Sequence, residues 1–457
     1  MLKQRNLTEG AILRQLLVLS LPIIASSFMM MAYNMTDIFW VGKLSADDLT
    51  AVSAAGYIIW FGFSVSFVAK VGAEVMLSQS IGKERPLRIP YYVASALQIA
   101  AYLAIIFSAV CIAFPRVIID FVFSFSNPYV SQTAASYLRI SALGFIFLYI
   151  SPVFNGIMNG FGDTRTPFYI LSSGILLNIG LDPLFIFGYG IIPAMGVDGA
   201  AYASAFSEMC IFIVFIYVFR KKKRNALSRV FALRGNMRYM VSILKVGIPP
   251  AAQITLFSIF AMLITRVVTH WGDTPVAVIS IGANIEALSW MTAGGISTAL
   301  STFVGQNYGA KKIGRILKGY LYTLFLATVW GSFVTALLFF WGGNIMSMFN
   351  DDEYLVSLGW DYMRIVSFSQ IFMCVEIATA GALSGIGRTL PSAIVGISLN
   401  AARVAAAYIF AFHTQMGLNG VWWSISVSSM FKGVILVLWF TFIFHQLKSR
   451  MLNPIQS

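Results

Sequence analysis

The chain contains an internal repeat, and its clearest copy is the segment 155–167, which reads NGIMNGFGDTRTP. A second copy, AGALSGIGRTLP, occupies residues 380–391, so that Gly162 aligns with Gly387 at an offset of 225. Two earlier pairs of segments match in the same order at an offset of 227; they align Pro22 with Pro249 and Gln79 with Gln306. Three matches in one order at nearly one offset indicate a duplicated unit, so the chain is predicted to have two related halves.

The composition indicates that both halves lie in a membrane. Of the 457 residues, 58% are hydrophobic and only 11% are charged, against roughly 25% charged in an average soluble domain. A helix that spans the bilayer needs about 20 apolar residues, and twelve apolar runs can supply such helices. They are residues 14–40, 51–80, 90–114, 132–158, 166–187, 197–219, 241–270, 276–305, 316–341, 357–385, 391–412 and 418–446. We therefore predict an all-α polytopic membrane protein with twelve transmembrane helices in two pseudo-symmetric six-helix bundles.

The domain boundaries follow from the same pattern. We predict an N-lobe over 1–220 with helices 1–6, a basic cytoplasmic linker over 221–240, and a C-lobe over 241–457 with helices 7–12. Because six is an even number, the halves are parallel repeats about an axis along the membrane normal, and transporters of this kind bind substrate near the midplane. The first apolar run continues to Trp40, which is the length of a span rather than of a signal-peptide core.

The basic residues are concentrated in alternate connections, of which the longest begins RKKKRNALSR at residues 220–229. The other connections carry only Lys43 and Arg116, together with several acidic residues. This asymmetry predicts a multi-pass protein of the inner (cytoplasmic) membrane with both termini in the cytoplasm. It also explains the net charge of +13 without nucleic acid as a partner. The three cysteines lie inside apolar runs and fit neither a disulfide framework nor a metal site.

The segments LPIIASSFMMMAYNMTDIFWVGKL, GQNYGA, GALSGIGRTLPS and LLNIGLDPLFIFGYGIIPAMGVDGAAYAS together resemble segments of one transporter family, the multidrug and toxic compound extrusion (MATE) family. LPIIASSFMMMAYNMTDIFWVGKL resembles its first helix, and GQNYGA and GALSGIGRTLPS resemble two of its loops. LLNIGLDPLFIFGYGIIPAMGVDGAAYAS resembles its fifth and sixth helices in the DinF-like prokaryotic branch. The likeness covers essentially the whole chain, and no single motif carries it.

The resemblance implies a V-shaped pair of six-helix lobes that exports organic cations, drugs or toxic compounds in exchange for H⁺ or Na⁺. It also implies a coupling site in the first lobe, formed by Asp37, Asn178, Asp182 and Ser204. Pro22 would be the proline at which the first helix kinks. The NorM-like branch of the family instead uses a carboxylate on helix seven. Helix seven of this chain has no acidic residue at that point; it offers Gln253, Thr255 and Phe257.

Two acidic residues of the first half are candidates for binding the coupling ion. Asn178 and Asp182 are one helical turn apart, and a carboxylate within a span is costly enough to suggest a function. The alternatives are that Asp37 is an interfacial carboxylate and that Asp182, before Pro183, ends its helix. Two nearby carboxylates in a low dielectric cannot both stay ionised, so the pair would hold a proton or bind a cation. Carboxylate and amide oxygens are suitable Na⁺ ligands, which makes a sodium site at Asp37, Asn178 and Asp182 possible.

Other charged residues within spans have several interpretations. In the second half, Glu286 and Glu376 are candidates for a substrate counter-ion or a second proton site, with Arg403 neutralising one of them. Lys432 is interpreted as a residue at the end of a span, with its charge extended to the interface. Lys70 and Glu74, one turn apart, are interpreted as a structural ion pair.

Methionine and aromatic residues could form a substrate cavity. Methionine surfaces are adaptable, and aromatic faces attract cations. The segment FMMMAYNM and five aromatics have two interpretations: most of them are packing or lipid-facing residues, and some could line the cavity. The aromatics are Tyr33, Trp60, Phe61, Trp290 and Phe372. We expect a monomer in the lipid bilayer with a cationic amphipathic small molecule as substrate and no cofactor beyond the coupling ion.

The sequence disfavours four other functions. A lipid-linked oligosaccharide or lipid flippase of the same superfamily is the main alternative, but the charges within the spans are mainly acidic, which disfavours an anionic substrate. An enzyme is disfavoured because no clustered histidines and no nucleophile with a base are found. A channel is disfavoured because repeats of this kind favour alternating access. A major-facilitator transporter is disfavoured by the loop GKERPLRIP between helices two and three.

Overall fold

The computed structural model describes residues 6–123, 125–190, 192–222, 233, 235–349 and 351–452. The long elements of these residues are all helices, numbered here in chain order. They are α1 (Ile12–Gly42), α2 (Ala46–Gly82), α3 (Ile89–Ala113), α4 (Pro115–Val122), α5 (Pro128–Gly160), α6 (Arg165–Phe187), α7 (Gly196–Lys222), α8 (Met237–Val268), α9 (Asp273–Gly309), α10 (Ile313–Ser347), α11 (Glu353–Ser367), α12 (Gln370–Ile386), α13 (Leu390–Phe412) and α14 (Leu418–Leu452). Residues 223–232 and 234, within the predicted basic linker, and the residues at both ends of the chain lie outside the described ranges.

The helices confirm an all-α protein with about twelve spans. Within the described ranges, eleven helices are long and apolar enough to cross a membrane, and the pair α11–α12 supplies a twelfth if it counts as one broken span. Each predicted apolar run coincides with one of these spans to within a few residues. The short helix α4, which starts at Pro115, was not predicted. The fold class therefore follows the hydropathy pattern closely.

The tenth span is broken where the sequence predicts one continuous run. Helices α11 and α12 meet at an angle of 49°, although neither proline nor glycine lies between them. Ser367 and Ser369 flank the break, and their hydroxyl groups donate to the backbone carbonyls of Arg364 and Val366 at 2.7 and 2.8 Å. Serine side chains that bond to the backbone in this way often bend helices, although the same kind of bond also occurs within the continuous helix α2.

The chain divides into two compact units. The first unit comprises Met1–Asn6 and Ala25–Ala251, and the second comprises Leu7–Ile24 and Ala252–Ser457. These boundaries differ from the predicted lobes, because the start of α1 belongs to the second unit and the start of α8 to the first. The divisions fall shortly after Pro22 and after Pro250, and they are 227 residues apart, which is the offset of the repeat.

Within each unit, one helix carries two glycines against a neighbouring helix. A Cβ atom at Gly156 or Gly160 of α5 would lie 2.6 or 2.9 Å from a backbone carbonyl oxygen of α2, so larger residues cannot fit without movement. In the second unit, Gly381 and Gly385 of α12 stand in the same relation to α9, at 2.4 and 2.6 Å. Small residues four apart let helices in a membrane approach closely. The glycines are 225 residues apart in the repeat, so each half builds its central helix contact in the same way.

The loops that follow these helices have the same backbone conformation in both units. Gly162 and Gly387, the glycines that align in the sequence, have φ values of 79° and 84°. The loops after α2 and α9 each place a residue other than glycine at positive φ, Glu84 at 53° and Lys311 at 59°. Such conformations are uncommon for residues with a Cβ atom, so their recurrence at an offset of 227 supports the duplication independently of sequence similarity.

Candidate functional site

The predicted coupling residues of the first unit lie on three helices. Asn178 and Asp182 lie one turn apart on α6, and each is only 1% exposed. Helix α6 continues past Pro183 to Phe187, so the interpretation of Asp182 as the end of a helix is wrong. Asp37 lies on α1, and its Oδ1 atom is buried, which argues against a solvent-facing carboxylate at the interface. Ser204 lies on α7.

These side chains come together in one pocket. The carboxyl groups of Asp37 and Asp182 lie within hydrogen-bonding reach of each other. The hydroxyl group of Ser204 is 3.1 Å from the Oη atom of Tyr33 and accepts a hydrogen bond from Nδ2 of Asn178 at 3.4 Å. Tyr33 was predicted as a substrate residue, yet it is placed among the coupling residues. The pocket therefore consists of two carboxyls, an amide and two hydroxyl groups.

The carboxyl groups of this pocket have no basic partner in the part of the chain that the structure describes. Both carboxyl oxygens of Asp182, Oδ1 of Asp37 and Oδ1 of Asn178 are buried and accept no hydrogen bond from a described residue. Two carboxyl groups can approach so closely only when a proton or a cation lies between them. The oxygen atoms are hard ligands, so the set fits a proton or a small cation such as Na⁺.

A cavity of about 450 Å³ adjoins this pocket within the first unit. Its wall is formed by α1, α2, α5 and α7 and is mostly apolar, and Asp37 and Ser204 of the coupling pocket also contribute to it. Of the aromatics predicted to line a cavity, Tyr33 and Trp60 do so. Phe61 is not among the lining residues, and Trp290 and Phe372 belong to the second unit. The volume is in the range of pockets that hold drug-sized molecules, ~300–1,000 Å³.

Two residues of the cavity wall, Tyr137 and Glu208, were not predicted as site residues from the sequence. Tyr137 on α5 is 7% exposed and lies close enough to Asp37 and Asp182 to interact with their charges. Glu208 lies on α7, one turn after Ser204. The available signal for Glu208 was an acidic residue inside an otherwise apolar span.

The acids of the second unit are in a different environment. Glu286 on α9 accepts hydrogen bonds from the hydroxyl group of Tyr362 at 2.6 Å and from Nε2 of Gln370 at 3.3 Å. Arg403 on α13 lies close enough to interact with the charges of both Glu286 and Glu376. Its guanidinium group donates to the hydroxyl groups of Ser428 at 2.7 Å and Ser429 at 2.9 Å. The predicted neutralising role of Arg403 is consistent with this position.

Lys432 is the direct partner of Glu376. Its ammonium nitrogen lies 3.2 Å from Oε2 of Glu376, and the two residues are 6% and 7% exposed. The prediction that Lys432 extends from the end of a span to the interface is therefore wrong. The residue lies in the middle of α14, and the buried carboxylate compensates its charge.

Lys70 was predicted to form an ion pair with Glu74 on α2. The ammonium group of Lys70 lies 4.6 Å from the ring centroid of Phe67 and is also attracted by the charge of Glu74. Glu74 is 4% exposed. Both residues lie where α2 meets the glycines of α5, which agrees with a structural position.

The sequence profile of the MatE family matches the chain twice. The matched residues are 22–184 and 249–409, and the two matches start at Pro22 and Pro249, the prolines that align in the internal repeat. Together they cover well over half of the chain. The comparison confirms the expectation of a membrane transporter rather than an enzyme.

Named relatives and solved structures agree with this match. The chain is 28% identical over 432 residues to the probable multidrug resistance protein NorM of Thermotoga maritima, covering 93% of this chain and 92% of the relative. It is 23% identical to the probable multidrug resistance protein YoeA of Bacillus subtilis, covering 91% and 90%. The structure of a MATE protein in complex with MaL6 superposes with a TM-score of 0.91 at 24% identity, covering 98% and 99%. A transporter of the MOP superfamily from Pyrococcus furiosus gives 0.89 at 24% identity, with the same coverage. The chain belongs to the MatE family of multi-pass membrane transporters.

Proposed function

We propose that the protein exports drug-like organic cations from the cytoplasm in exchange for H⁺ or Na⁺ by alternating access. The names of the relatives, probable multidrug resistance proteins, support export of this kind. The alternating-access mechanism is supported by the duplicated halves, since transporters built from repeats commonly work in this way.

The observation that carries the proposal is the carboxyl pair of Asp37 and Asp182 beside the cavity of the first unit. The pair is buried, has no basic partner among the described residues, and borders a mostly apolar cavity large enough for a drug-sized molecule. An ionisable group in a membrane span is costly unless it serves binding or transport. A pair that must hold a proton or a cation is suited to exchange that ion for a substrate.

The proposed exchange uses opposed binding preferences. An exporter is coupled when binding of the ion weakens binding of the substrate and binding of the substrate weakens binding of the ion. Asp37 lies on α1 and also lines the cavity, whereas Asp182 lies on α6. Neutralising the pair changes the charge at the cavity wall, and Tyr33, through Ser204, connects the same helix to α7. Loading of the ion therefore disfavours a cationic substrate next to Asp37.

We assign the protein to the DinF-like branch on the basis of this pocket. The relatives that match over most of the chain carry the name NorM. However, α8, the seventh span, has no acid at its predicted coupling position, where it offers Gln253, Thr255 and Phe257. A first-unit pocket with both carboxyls, the amide and the hydroxyl group supports the DinF-like assignment.

Dye transport in inverted membrane vesicles tests the proposed function. Ethidium should accumulate inside vesicles that contain the protein when the lumen is made acidic or is loaded with Na⁺, each gradient being imposed separately. At least one gradient should drive ethidium accumulation well above that in control vesicles whose membranes lack the protein. Absence of accumulation under both gradients, with a correctly folded protein, would contradict the proposal and favour a flippase.

We further propose that both termini lie in the cytoplasm, because the basic connections alternate with acidic ones. A reporter fused after residue 225 or at the C-terminus should be active only on the cytoplasmic side, and a reporter inserted near Asp351 only outside. An external C-terminus would contradict the orientation.

A further inference from the structure

Glu208 is a carboxylate that the coupling pocket does not use. It lies on α7 one turn after Ser204, and residues four apart on a helix share a face, with Cβ atoms about 5–6 Å apart. Ser204 is the residue through which Tyr33 and Asn178 are joined. Glu208 therefore stands one turn away from the pocket, on the same wall of the cavity.

The charge of Glu208 has no partner in the described part of the chain. The residue forms neither an ion pair nor a hydrogen bond with any described side chain, although the same helix supplies a satisfied carboxylate at Asp198, which accepts a hydrogen bond from Ser136 at 2.8 Å. In the second unit, Glu376 is paired with Lys432. An unpaired carboxylate in the wall of an apolar cavity is costly in the empty protein, and a cation in the cavity would remove that cost.

The surroundings of Glu208 fit one class of cation. Aromatic rings contribute to the cavity wall, as the side chains of Tyr33, Trp60, Phe63 and Phe145. Aliphatic side chains form much of the remaining lining, and Asn34, Ser53 and Ser141 add polar groups. Aromatic faces and a carboxylate that is not part of the coupling pair attract a delocalised or quaternary positive charge that is surrounded by apolar groups.

We propose that Glu208 is the counter-ion of the transported molecule, and that it selects amphipathic cations over zwitterions of the same shape. This inference rests on the proposed function and adds its substrate specificity. Two carboxylate sites then lie on one cavity: the pair Asp37–Asp182 takes the coupling ion and Glu208 takes the positive charge of the substrate. Because both sites bind positive charge at short range, occupation of one weakens the other, as exchange requires.

Binding of two matched dyes to the purified protein tests this inference. Rhodamine 6G is a cation because its carboxyl group is esterified, and its free acid has the same ring system but is a zwitterion. The wild-type protein should bind the cation at least about tenfold more tightly than the zwitterion, since the additional carboxylate of the zwitterion is repelled by the like charge of Glu208 in a cavity of low dielectric. Glu208→Gln keeps the shape of the side chain and should lower that preference several-fold, leaving only the cost of desolvating the carboxylate of the dye. Glu208→Asp keeps the charge and should retain most of it.

Asp198→Asn is the matched control, because it neutralises a carboxylate on the same helix that is not part of the cavity wall. It should leave the preference for the cation unchanged. Thermal unfolding of each variant in detergent verifies that the protein is folded, and Glu208→Asp preserves the test if Glu208→Gln is unstable.

Transport by the wild-type protein separates the two proposals. If the wild-type protein exports ethidium but Glu208→Gln retains the full preference for the cation, the role of Glu208 is wrong and the proposed function stands. If the wild-type protein binds the zwitterion as tightly as the cation, the role of Glu208 is likewise wrong. If neither gradient drives transport, the proposed function fails as well.

Discussion

In the first unit, Asp37, Asp182 and Glu208 surround a pocket and a cavity without a basic partner among the described residues. In the second unit, Glu376 is paired with Lys432, and Glu286 accepts hydrogen bonds from two side chains. Both units arise from one repeat and share their central glycine contacts, so the difference lies in the charges and not in the fold. We infer from this comparison that the acids of the first unit are the candidates for binding ion and substrate, whereas those of the second unit have partners within the protein.

The largest expected effect follows from removing either carboxylate of the first-unit pair. Asp37→Asn and Asp182→Asn imitate the protonated state and keep the shape of the side chain, so the proteins should fold normally and still bind a lipophilic cation, but more weakly. Gradient-driven accumulation of ethidium in inverted vesicles should fall to background in both variants. Normal transport by either variant would show that the pair is not required for coupling.

In the second unit, loss of a single charge should mainly affect stability. Lys432→Gln leaves Glu376 buried without its partner, and breaking a buried ion pair lowers the free energy of unfolding by about 3–5 kcal/mol. The double variant Lys432→Gln with Glu376→Gln should recover most of this loss. Thermal unfolding in detergent measures both effects, and a fully stable single variant would indicate that the pair is dispensable in the fold.

Substitution of Pro22 should have a smaller effect, which is a slower rate of transport. Proline lacks a backbone N–H group and leaves the carbonyl of Val18 without its helical donor, although α1 is continuous through it. The division between the two units falls two residues later, where bending of the helix would accompany a change of state. Pro22→Ala should fold normally and transport ethidium several-fold more slowly. An unchanged rate in a stable variant would reject the hinge.

Pro249→Ala is the matched variant at the equivalent position of the repeat. Helix α8 keeps Pro250 next to it, so the rate should change less than in Pro22→Ala.

The smallest effect is expected at Glu286. In Glu286→Gln, the amide oxygen can still accept the hydrogen bond from Tyr362, and only the longer bond from Gln370 is lost. Transport of ethidium should stay within about twofold to threefold of the wild-type rate. A loss of coupling as complete as in the variants of Asp37 would move the ion site to the second unit.

Much of the fold could be predicted from hydropathy and the repeat, because each span requires a long apolar run and each run is separated by polar residues. The break between α11 and α12 could not be predicted, since neither proline nor glycine marks it in the sequence. The sequence also did not predict that α1 and α8 are each divided between the two units, because hydropathy does not identify which helices a segment packs against.

Only part of the site could be predicted, because the sequence relates residues within one helix better than residues on different helices. Asn178 and Asp182 are one turn apart, so their proximity follows from helical geometry, and their meeting with Asp37 and Ser204 agrees with the resemblance. Glu208 had a sequence signal, an acidic residue inside an apolar span, whereas the partner of Glu376 required knowledge of which helix faces meet. Lys432 reads as an interfacial residue from the sequence alone, since a lysine in a span usually extends to the membrane surface, and only the packing of α14 against α12 reveals its partner.

The central claim is that ion coupling resides in the first unit, and one side-by-side measurement tests it most directly. Ethidium accumulation is recorded in inverted vesicles under a pH gradient and under a Na⁺ gradient, for Asp182→Asn and for the double variant Lys432→Gln with Glu376→Gln, at equal amounts of folded protein. The account predicts that Asp182→Asn shows no accumulation under either gradient, while the double variant keeps most of the wild-type accumulation. The reverse pattern, with Asp182→Asn active and the double variant uncoupled, would contradict the account and place coupling in the second unit.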